Sequence, residues 1–505
     1  MGRVFYNMNG GIPVKVCYST TLDGEMHTDR DLAKQWNTID WNKVRSDVNR
    51  LQTRIAKATL EGKWNLVYRL GYLLTHSHSA KLLAVRIVTQ NRGKRTPGID
   101  GKLWNSSSEK MQAALNLTDK QYHAQPLRRI YIPKPGKDTK RPISIPTMND
   151  RAMQALYGLA LQPIAETTAD PRSFGFRLFR CAQDASQYAF HCLAKKTSAQ
   201  WILEGDIKGC YDNIAHTWLL DNIPMDRSIL TQFLKAGYVF EDKLYQTERG
   251  TPQGGLISPI LANMTLDGIE NELEERISQE KVNFIRYADD FLVTAPTKEI
   301  AEEAKDIIQG FLTQRGLTLS TEKTKITHID DGFDFLGWNF RKYKGRLIIK
   351  PSWNSIKSIS LKIKTIVKKA QAWTQNLLIR TLNPVIIGWA NYHRHIVASK
   401  VFSRLDAYIW KITWKWARHR HSNKGHKWIT QKYWTSGEGW HFKTDENTLQ
   451  KFSDTEIRRH TFPKLHANPF LDRKYFLQRM ERINKQTPGI QTKLTFFGLR
   501  RPANG

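Results

Sequence analysis

The sequence predicts an α+β fold divided among several domains, and three observations carry that expectation. At 505 residues the chain is too long for one ordinary core, so roughly two to four domains are expected. Stretches with apolar residues at helical spacing alternate with short apolar, strand-like runs, some ending in acids. Hydrophobic residues make up 40% of the chain and aromatic residues 11%, enough for well-packed interiors beside a formal net charge of +31.

Taken in order, residues 1–35 read as irregular. Trp41 to Leu60 reads as a helix, with Val44, Val48, Leu51 and Ile55 on one stripe, and Trp64 to Val88 as a second helical stretch. Asn149 to Thr168 is expected to be a helix with an apolar face, capped by Asn149 or Asp150. Trp201 to Leu203 has the composition of a buried strand, and Ile260 to Leu266 that of an apolar helix. Lys350-Pro351 marks a boundary, after which Ser355 to Leu378 and Pro384 to Trp416 predict helices with one cationic face. Trp410 and Trp414 stand one helical turn apart, which predicts core positions. Beyond Lys424 the segments KWITQKYW and EGWHF suggest short strands, and residues 451–505 are basic without periodicity. There is no internal repeat and no Walker or Rossmann glycine loop, so ATP-driven chemistry has no support. No run of about 18 apolar residues exists, so no membrane span is expected. The N-terminus lacks the apolar core of a secretory signal.

The most informative stretch is Phe284-Ile285-Arg286-Tyr287-Ala288-Asp289-Asp290-Phe291-Leu292-Val293, which sets two adjacent carboxylates between two apolar runs. Asp-Asp is turn chemistry, so the pair is expected at the tip of a hairpin. Like charges side by side raise each other's pKa, and a divalent cation with oxygen ligands relieves the repulsion. Taken alone, such a pair reads as a solvated turn. A third acid, Asp206, follows the apolar run Trp201 to Leu203, with Tyr211 five residues on. Standing alone, Asp206 reads equally well as the N-cap of a helix from Ile207 to Leu220. Between these acids lies Gly250-Thr251-Pro252-Gln253-Gly254-Gly255, where paired glycines allow close backbone approach.

Together, and in this order, these blocks resemble the reverse transcriptases encoded by group II introns of bacteria and organelles, also called maturases. Arg129 to Pro133 with Lys134, then Arg141 to Pro146, match the fingers segment; LEGDIKGCYDNI, GTPQGGLISP and YADD match three palm motifs. Gly316 to Ile326 matches the fourth, Phe333 to Gly337 the primer-side motif, Asn91 to Gly101 the N-terminal extension, and Pro384 to His393 the maturase segment. The resemblance spans roughly residues 40 to 440, and order plus spacing make it specific.

The resemblance implies a right-hand polymerase of fingers, palm and thumb. An N-terminal extension would occupy 1–89, fingers and palm 90–350, a helical thumb or maturase domain 351–440, and a basic region expected to bind DNA 441–505. It implies an RNA-directed DNA polymerase that also binds intron RNA to promote splicing and retrohoming by target-primed reverse transcription. By the same resemblance Asp206 and Asp289, with the backbone of Ile207, would hold two Mg2+ ions, and Asp290 would support them. Tyr211 would lie under the sugar and exclude a 2′-OH. Lys134 and Arg141 would contact the triphosphate, Gln253 and Gly254 would line the nucleotide site, and Lys323 or its neighbour Lys325 would protonate or neutralise pyrophosphate. The implied partners are intron RNA, an RNA template with a DNA primer, target DNA and dNTPs, in the cytoplasm near the nucleoid or in an organelle. Three other readings are a domesticated reverse transcriptase of a defence or CRISPR system, a splicing cofactor acting mainly by RNA binding, and an RNA-copying RNA polymerase, against which Tyr211 argues.

Charge agrees with a polyanionic partner. Residues 351–505 hold 29 Lys/Arg against 8 Asp/Glu, and 10 of the 16 tryptophans lie at or after Trp338, a mixture suited to phosphate contact and base stacking. The four cysteines, Cys17, Cys181, Cys192 and Cys210, form no paired motif. Zinc is therefore not expected, nor is the cysteine-paired H-N-H endonuclease that many such proteins carry. Arg418-His419-Arg420-His421 has no partner acids in sequence and is read as RNA-facing or solvated.

Overall fold

The computed structural model describes residues 28–133, 140–277, 281–435 and 441–486, with two short strand segments at 494–495 and 498–499. Four helices open the described chain: α1 (Asp29–Asn37), α2 (Trp41–Leu60), α3 (Trp64–His76) and α4 (His78–Gln90). Part of the stretch expected to be irregular is thus helical. Thr28 caps α1 by accepting the Asp31 N–H, and Leu32 and Trp36 bury its inner face. α2 keeps its expected bounds, with Val44, Val48 and Ile55 buried and Asp40 as the cap. The second expected stretch is two helices. Ser77 takes an extended conformation (φ −75°, ψ 137°), and its hydroxyl accepts the Ala80 N–H to start α4 afresh.

α5 (Ser107–Asn116) precedes the hairpin of β1 (Leu127–Pro133) and β2 (Lys140–Ile145). α6 (Met148–Thr168) then runs through the centre of the domain. It is capped by Thr147, not by Asn149 or Asp150, and is buried nearly all round instead of on one face. Asp150 instead accepts the Thr147 and Tyr122 hydroxyls. Next come α7 (Ala182–Leu193), β3 (Trp201–Asp206), the short α8 (Cys210–Asn213) and α9 (His216–Asn222), and α10 (Arg227–Lys235). A second hairpin, β4 (Tyr238–Phe240) with β5 (Lys243–Tyr245), leads to α11 (Ser258–Leu266) and α12 (Ile269–Arg276). The hairpin of β6 (Asn283–Tyr287) and β7 (Asp290–Ala295), then α13 (Lys298–Thr313) and β8 (Lys325–His328), complete the region.

Two four-stranded sheets result. The fingers sheet has the order β2-β1-β4-β5, and the palm sheet β6-β7-β3-β8. Residues of α2, α4, α6, α11 and α13 share one continuous core with the palm strands, including Val48, Leu156, Leu203, Leu261 and Ile308. Asp206 ends a strand and does not cap a long helix. Gly209, in the left-handed region (φ 54°), turns the chain, so α8 and α9 replace the alternative helix from Ile207 to Leu220.

β9 (Phe333–Phe335), β10 (Trp338–Tyr343) and β11 (Arg346–Pro351) form a separate three-stranded sheet. Beyond it stand α14 (Trp353–Lys369), α15 (Gln375–His393) and α16 (Ser399–Arg420), a helical unit with its own core around Ile363, Leu378, Ile386 and Phe402. Two expectations fail here. Trp410 is 51% exposed, stacked flat on Trp414 at 5.7 Å; only Trp414 turns inward, toward Trp434. KWITQKYW is mostly helix, α17 (His426–Tyr433), because Ile429 and Tyr433 fall one turn apart and pack inward. Strand is confined to β12 (Trp434–Thr435) and β13 (His441–Phe442); the rest of EGWHF lies outside the described residues.

The basic C-terminal stretch, which shows no periodicity in the sequence, contains a helix. α18 (Arg473–Gln486) inserts Phe476 and Met480 beside Phe179. Arg479, 3% exposed, bonds to the Asp184 carboxylate and the Phe179 carbonyl. The periodicity was hidden because so few apolar anchors sit among so many charges. β14 (Leu494–Thr495) and β15 (Gly498–Leu499) pair near the end.

Candidate active site

The palm register decides which acids meet. In the antiparallel pair β3–β7, Asp206 stands opposite Asp290, and β6–β7 turns through Ala288-Asp289. The acids from two distant segments therefore share one end of one sheet. Ala288 has φ +59°, a conformation L-residues rarely adopt, so this turn is held by its surroundings. Asp289 is half-buried, and its carboxyl is pushed up from the ordinary range by burial, with the Asp206 charge adding to the rise and Lys323 and Arg141 opposing it. Asp290 is exposed.

A cation already answers this charge. The Lys323 ammonium donates to Asp206 Oδ2 at 2.7 Å, and that bond, with the neighbouring Asp290 and Asp289, raises the pKa of Lys323. Lys325, the competing candidate, stands across from Glu204 in the β3–β8 register. The Ile207–Leu319 bridge engages the Asp206 carbonyl, which accepts from Ser320, and the Lys208 N–H. The carbonyl of Ile207 takes no part in that bridge. Carboxylates in mutual repulsion, offset by an ammonium, are the donor chemistry that hard divalent cations take.

Under the acids lies α8. Tyr211 is partly buried, and burial, with the Asp289 charge, pushes its phenol well above the ordinary value. The glycine-rich loop is fastened over α8, with Thr251 N–H donating to the Tyr211 carbonyl and Gly250 N–H to that of Ile214, both at 2.7 Å. Gly250 has φ +82°, and a Cβ there would lie 2.7 Å from the Asp212 backbone. The Gln253 side-chain amide donates to Asp212 Oδ2 at 3.4 Å, and the Gln253 backbone carbonyl accepts the Ser144 N–H at 2.8 Å, tying this loop to β2. Gly254 (φ +118°) meets the Ser144 carbonyl so closely that a Cβ would lie 2.6 Å from it. Arg141 is exposed on β2. Lys134 lies outside the described residues.

Sequence reading missed what lies behind the turn. Arg286 of β6 is fully buried; it pairs with Asp267, donates to Asn263 Oδ1 at 3.1 Å, and lies 3.5 Å from the Ala288 carbonyl. Burial pushes Asp267 up to about 7 in spite of Arg286, and the adjacent Asp170 adds to the rise. Residues 172–174 run beside β6, and a Cβ on Gly175 would lie 2.2 Å from the Ala288 nitrogen. The available signal was Arg286 itself, a cation inside an apolar strand run.

One further cluster of possible metal ligands occurs among the described residues, Cys181, Asp184 and His460, with ligand atoms within 4.8 Å of one another. Arg479 occupies the cation position there, bonded to Asp184, and burial pushes the Cys181 thiol up, away from the thiolate that metals bind. No helix among the described residues is long and apolar enough to cross a membrane.

Fingers, a palm with two strand-end acids and a third in the adjoining turn, and a helical unit after the palm define a right-hand polymerase. Family models agree. Residues 132–340 match "Reverse transcriptase (RNA-dependent DNA polymerase)", residues 36–117 "N-terminal domain of reverse transcriptase", and residues 356–434 "Group II intron, maturase-specific domain". Protein YkfC of Escherichia coli is 30% identical over 310 residues, 52% of this chain and 80% of that protein. Group II intron-encoded protein LtrA of Lactococcus lactis is 30% identical over 329 residues, 51% of this chain and 54% of its own length. Maturase-like protein 1 of Euglena gracilis is 26% identical over 367 residues, 70% of this chain and 76% of that protein. A solved telomerase from Candida albicans, in complex with a fragment of telomeric RNA, has a TM-score of 0.37 at 14% identity over 63% of each chain. This chain belongs to the group II intron family of reverse transcriptases with a maturase domain. It carries the RNA-directed DNA polymerase domain of that family, a nucleotidyltransferase whose substrates are nucleic acids.

Proposed function

We propose that this chain copies RNA into DNA with Asp206, Asp289 and Asp290 as its catalytic acids, and that it binds the RNA of its own intron to assist splicing and retrohoming. One observation carries the reading: Asp206 and the Asp289–Asp290 turn share the end of the palm sheet, with the Lys323 ammonium against them. Asp206, Asp289 and the Ile207 carbonyl would hold two Mg2+ ions. Bound there, such ions stabilise the attacking and leaving oxygens of phosphoryl transfer. Lys323, displaced from Asp206, is the cation for the departing pyrophosphate, a role that its direct bond to Asp206 favours over Lys325. Arg141, with Lys134, orients the triphosphate, and Gln253 and Gly254 line the nucleotide position. The domain division at residues 89, 350 and 440 belongs to the same proposal. So do a DNA primer, target DNA and dNTPs as partners, and a cytoplasmic or organellar site of action. The exposed Trp410 and Trp428, the latter under Lys424 and Lys432, supply stacking and charge for RNA on the maturase domain.

Asp289→Ala combined with Asp290→Ala separates the two activities. Primer extension should fall on the order of 10³-fold or more, because several kcal/mol of charge stabilisation are lost, while splicing assistance persists. Persisting extension would reject the acids, and lost splicing with the fold intact would reject the division of labour. Tyr211→Ala should raise ribonucleotide incorporation relative to deoxynucleotide by roughly tenfold or more, because the ring that meets the 2′ position is gone. Unchanged sugar discrimination in single-nucleotide extension would remove Tyr211 from that role.

A further inference from the structure

Four aromatic rings on one face of the fingers sheet belong to none of the apolar cores among the described residues. Register puts them together. Tyr238 pairs with Tyr245, and Phe240 lies in the same row as Tyr238. Leu127 pairs with Tyr238 in the parallel β1–β4 ladder, so Arg129 and Tyr131, at two-residue steps along β1, share that face. The contacts agree: Tyr238 and Tyr245 stack at 5.1 Å and 11°, Tyr131 meets Phe240 edge-on at 5.0 Å, and the Arg129 guanidinium lies 3.3 Å over the Tyr238 ring. Tyr131 and Tyr245 are 42% and 41% exposed. The four rings are absent from every buried cluster of the described residues. Arg141 and Ile143 alternate with Pro142 and Ser144 onto the opposite face, the one turned to the glycine-rich loop. The aromatic strip therefore faces away from the nucleotide position.

We propose that this outer face of the fingers is a stacking platform for unpaired RNA, distinct from the polymerase site; the choice of RNA rests on the family reading above. Tyr238 is stacked between Tyr245 and the Arg129 guanidinium, so the ring surface left for a base is that of the exposed Tyr245 and Tyr131; a duplex cannot use it because its bases already stack on one another. Arg129, and the exposed Lys140, which stands opposite Pro133 and so shares the face, supply cations for the backbone between bases. On a chain of net charge +31, an exposed aromatic strip interleaved with cations is matched to a polyanion with free bases. Because the strip faces away from the nucleotide position, its occupant is an unpaired loop of a folded RNA and not the template entering the polymerase site.

The test uses the full-length protein and Tyr131→Ala with Tyr245→Ala, checked by circular dichroism. Affinity is measured for an unstructured oligonucleotide RNA, an RNA hairpin with an open loop, and a blunt RNA–DNA duplex. Stacking strength predicts at least about a fivefold loss per ring on the first two and no loss on the duplex. Tyr131→Phe with Tyr245→Phe should restore binding, because stacking needs no hydroxyl. Extension should be unchanged on a primer–template with a long 5′ overhang and on one with a one-nucleotide overhang. Extension that falls on the long overhang alone would assign the strip to the template and overturn the loop as its occupant. Unchanged single-strand affinity, or equal loss on the duplex, overturns the proposal. The catalytic variant Asp289→Ala should bind the oligonucleotide as the unaltered chain does, so failure of the polymerase reading remains distinguishable from failure of this one.

Discussion

Gly175→Ala is expected to leave the protein folded and to lower primer extension by about 10²-fold, the usual consequence of displacing a reacting group by an ångström. A Cβ at residue 175 would lie 2.2 Å from the Ala288 nitrogen and 2.8 Å from the Tyr287 carbonyl carbon. Both are backbone atoms of the turn that carries Asp289, so no side-chain rotation relieves the clash. Neighbouring backbone cannot yield far either, because Phe174 N–H donates to the Arg286 carbonyl at 2.8 Å and Arg286 N–H to that of Arg172. The turn must shift instead. Overpacking of this kind costs about 1–3 kcal/mol, which a domain of this size tolerates. Thermal melting should therefore change modestly while extension falls steeply. Extension at the unaltered rate would mean that the turn's position does not control the chemistry.

Arg286→Met carries the second large expectation, a loss of about 3–5 kcal/mol of stability, because a buried charge pair is broken on one side only. Arg286 is fully buried and is the cation that holds Asp267 and lowers the neighbouring Asp170. Without it, two carboxyls remain in a low-dielectric space with Arg177 as the nearest compensation. The pH dependence follows from the direction of their shifts. Both acids have folded pKa values above the ordinary value, Asp267 at about 7. Their contribution to stability is fully present below the unfolded pKa and is lost as pH rises through the folded one. Removing Arg286 raises the folded pKa further, so the deficit of the variant should be larger at pH 8 than at pH 5, where the orphaned acids are protonated. Melting curves of both proteins at the two pH values measure it; a deficit that is equal at both, or greater at pH 5, contradicts this account.

The meeting of Asp206 with the Asp289–Asp290 turn was legible because each acid sits in a short linear block whose strand-like flanks told where the block ends. α2 was legible for a similar reason, since its apolar stripe is local and regular. α18 was not. Its hold on the molecule is a pair, Arg479 with Asp184, separated by 295 positions. The fastening of the Asp289 turn was equally hidden: Arg286 finds Asp267 19 residues away, and Gly175 meets Ala288 across more than a hundred positions. Trp410 misled because helical spacing says which residues share a face but not which face is covered.

Residue chemistry and block order by themselves determined that this chain is a reverse transcriptase of the group II intron family, and they supplied the acids and cations proposed for the reaction. Only the tertiary structure decided how that chemistry is held: a buried arginine behind the turn, a glycine where no Cβ fits, a C-terminal helix clamped to the palm, and four rings on the outer fingers. The reason is physical. A functional motif is a local requirement written in consecutive residues, whereas burial, register and ion pairing depend on contacts between segments whose separation along the chain leaves no periodic trace.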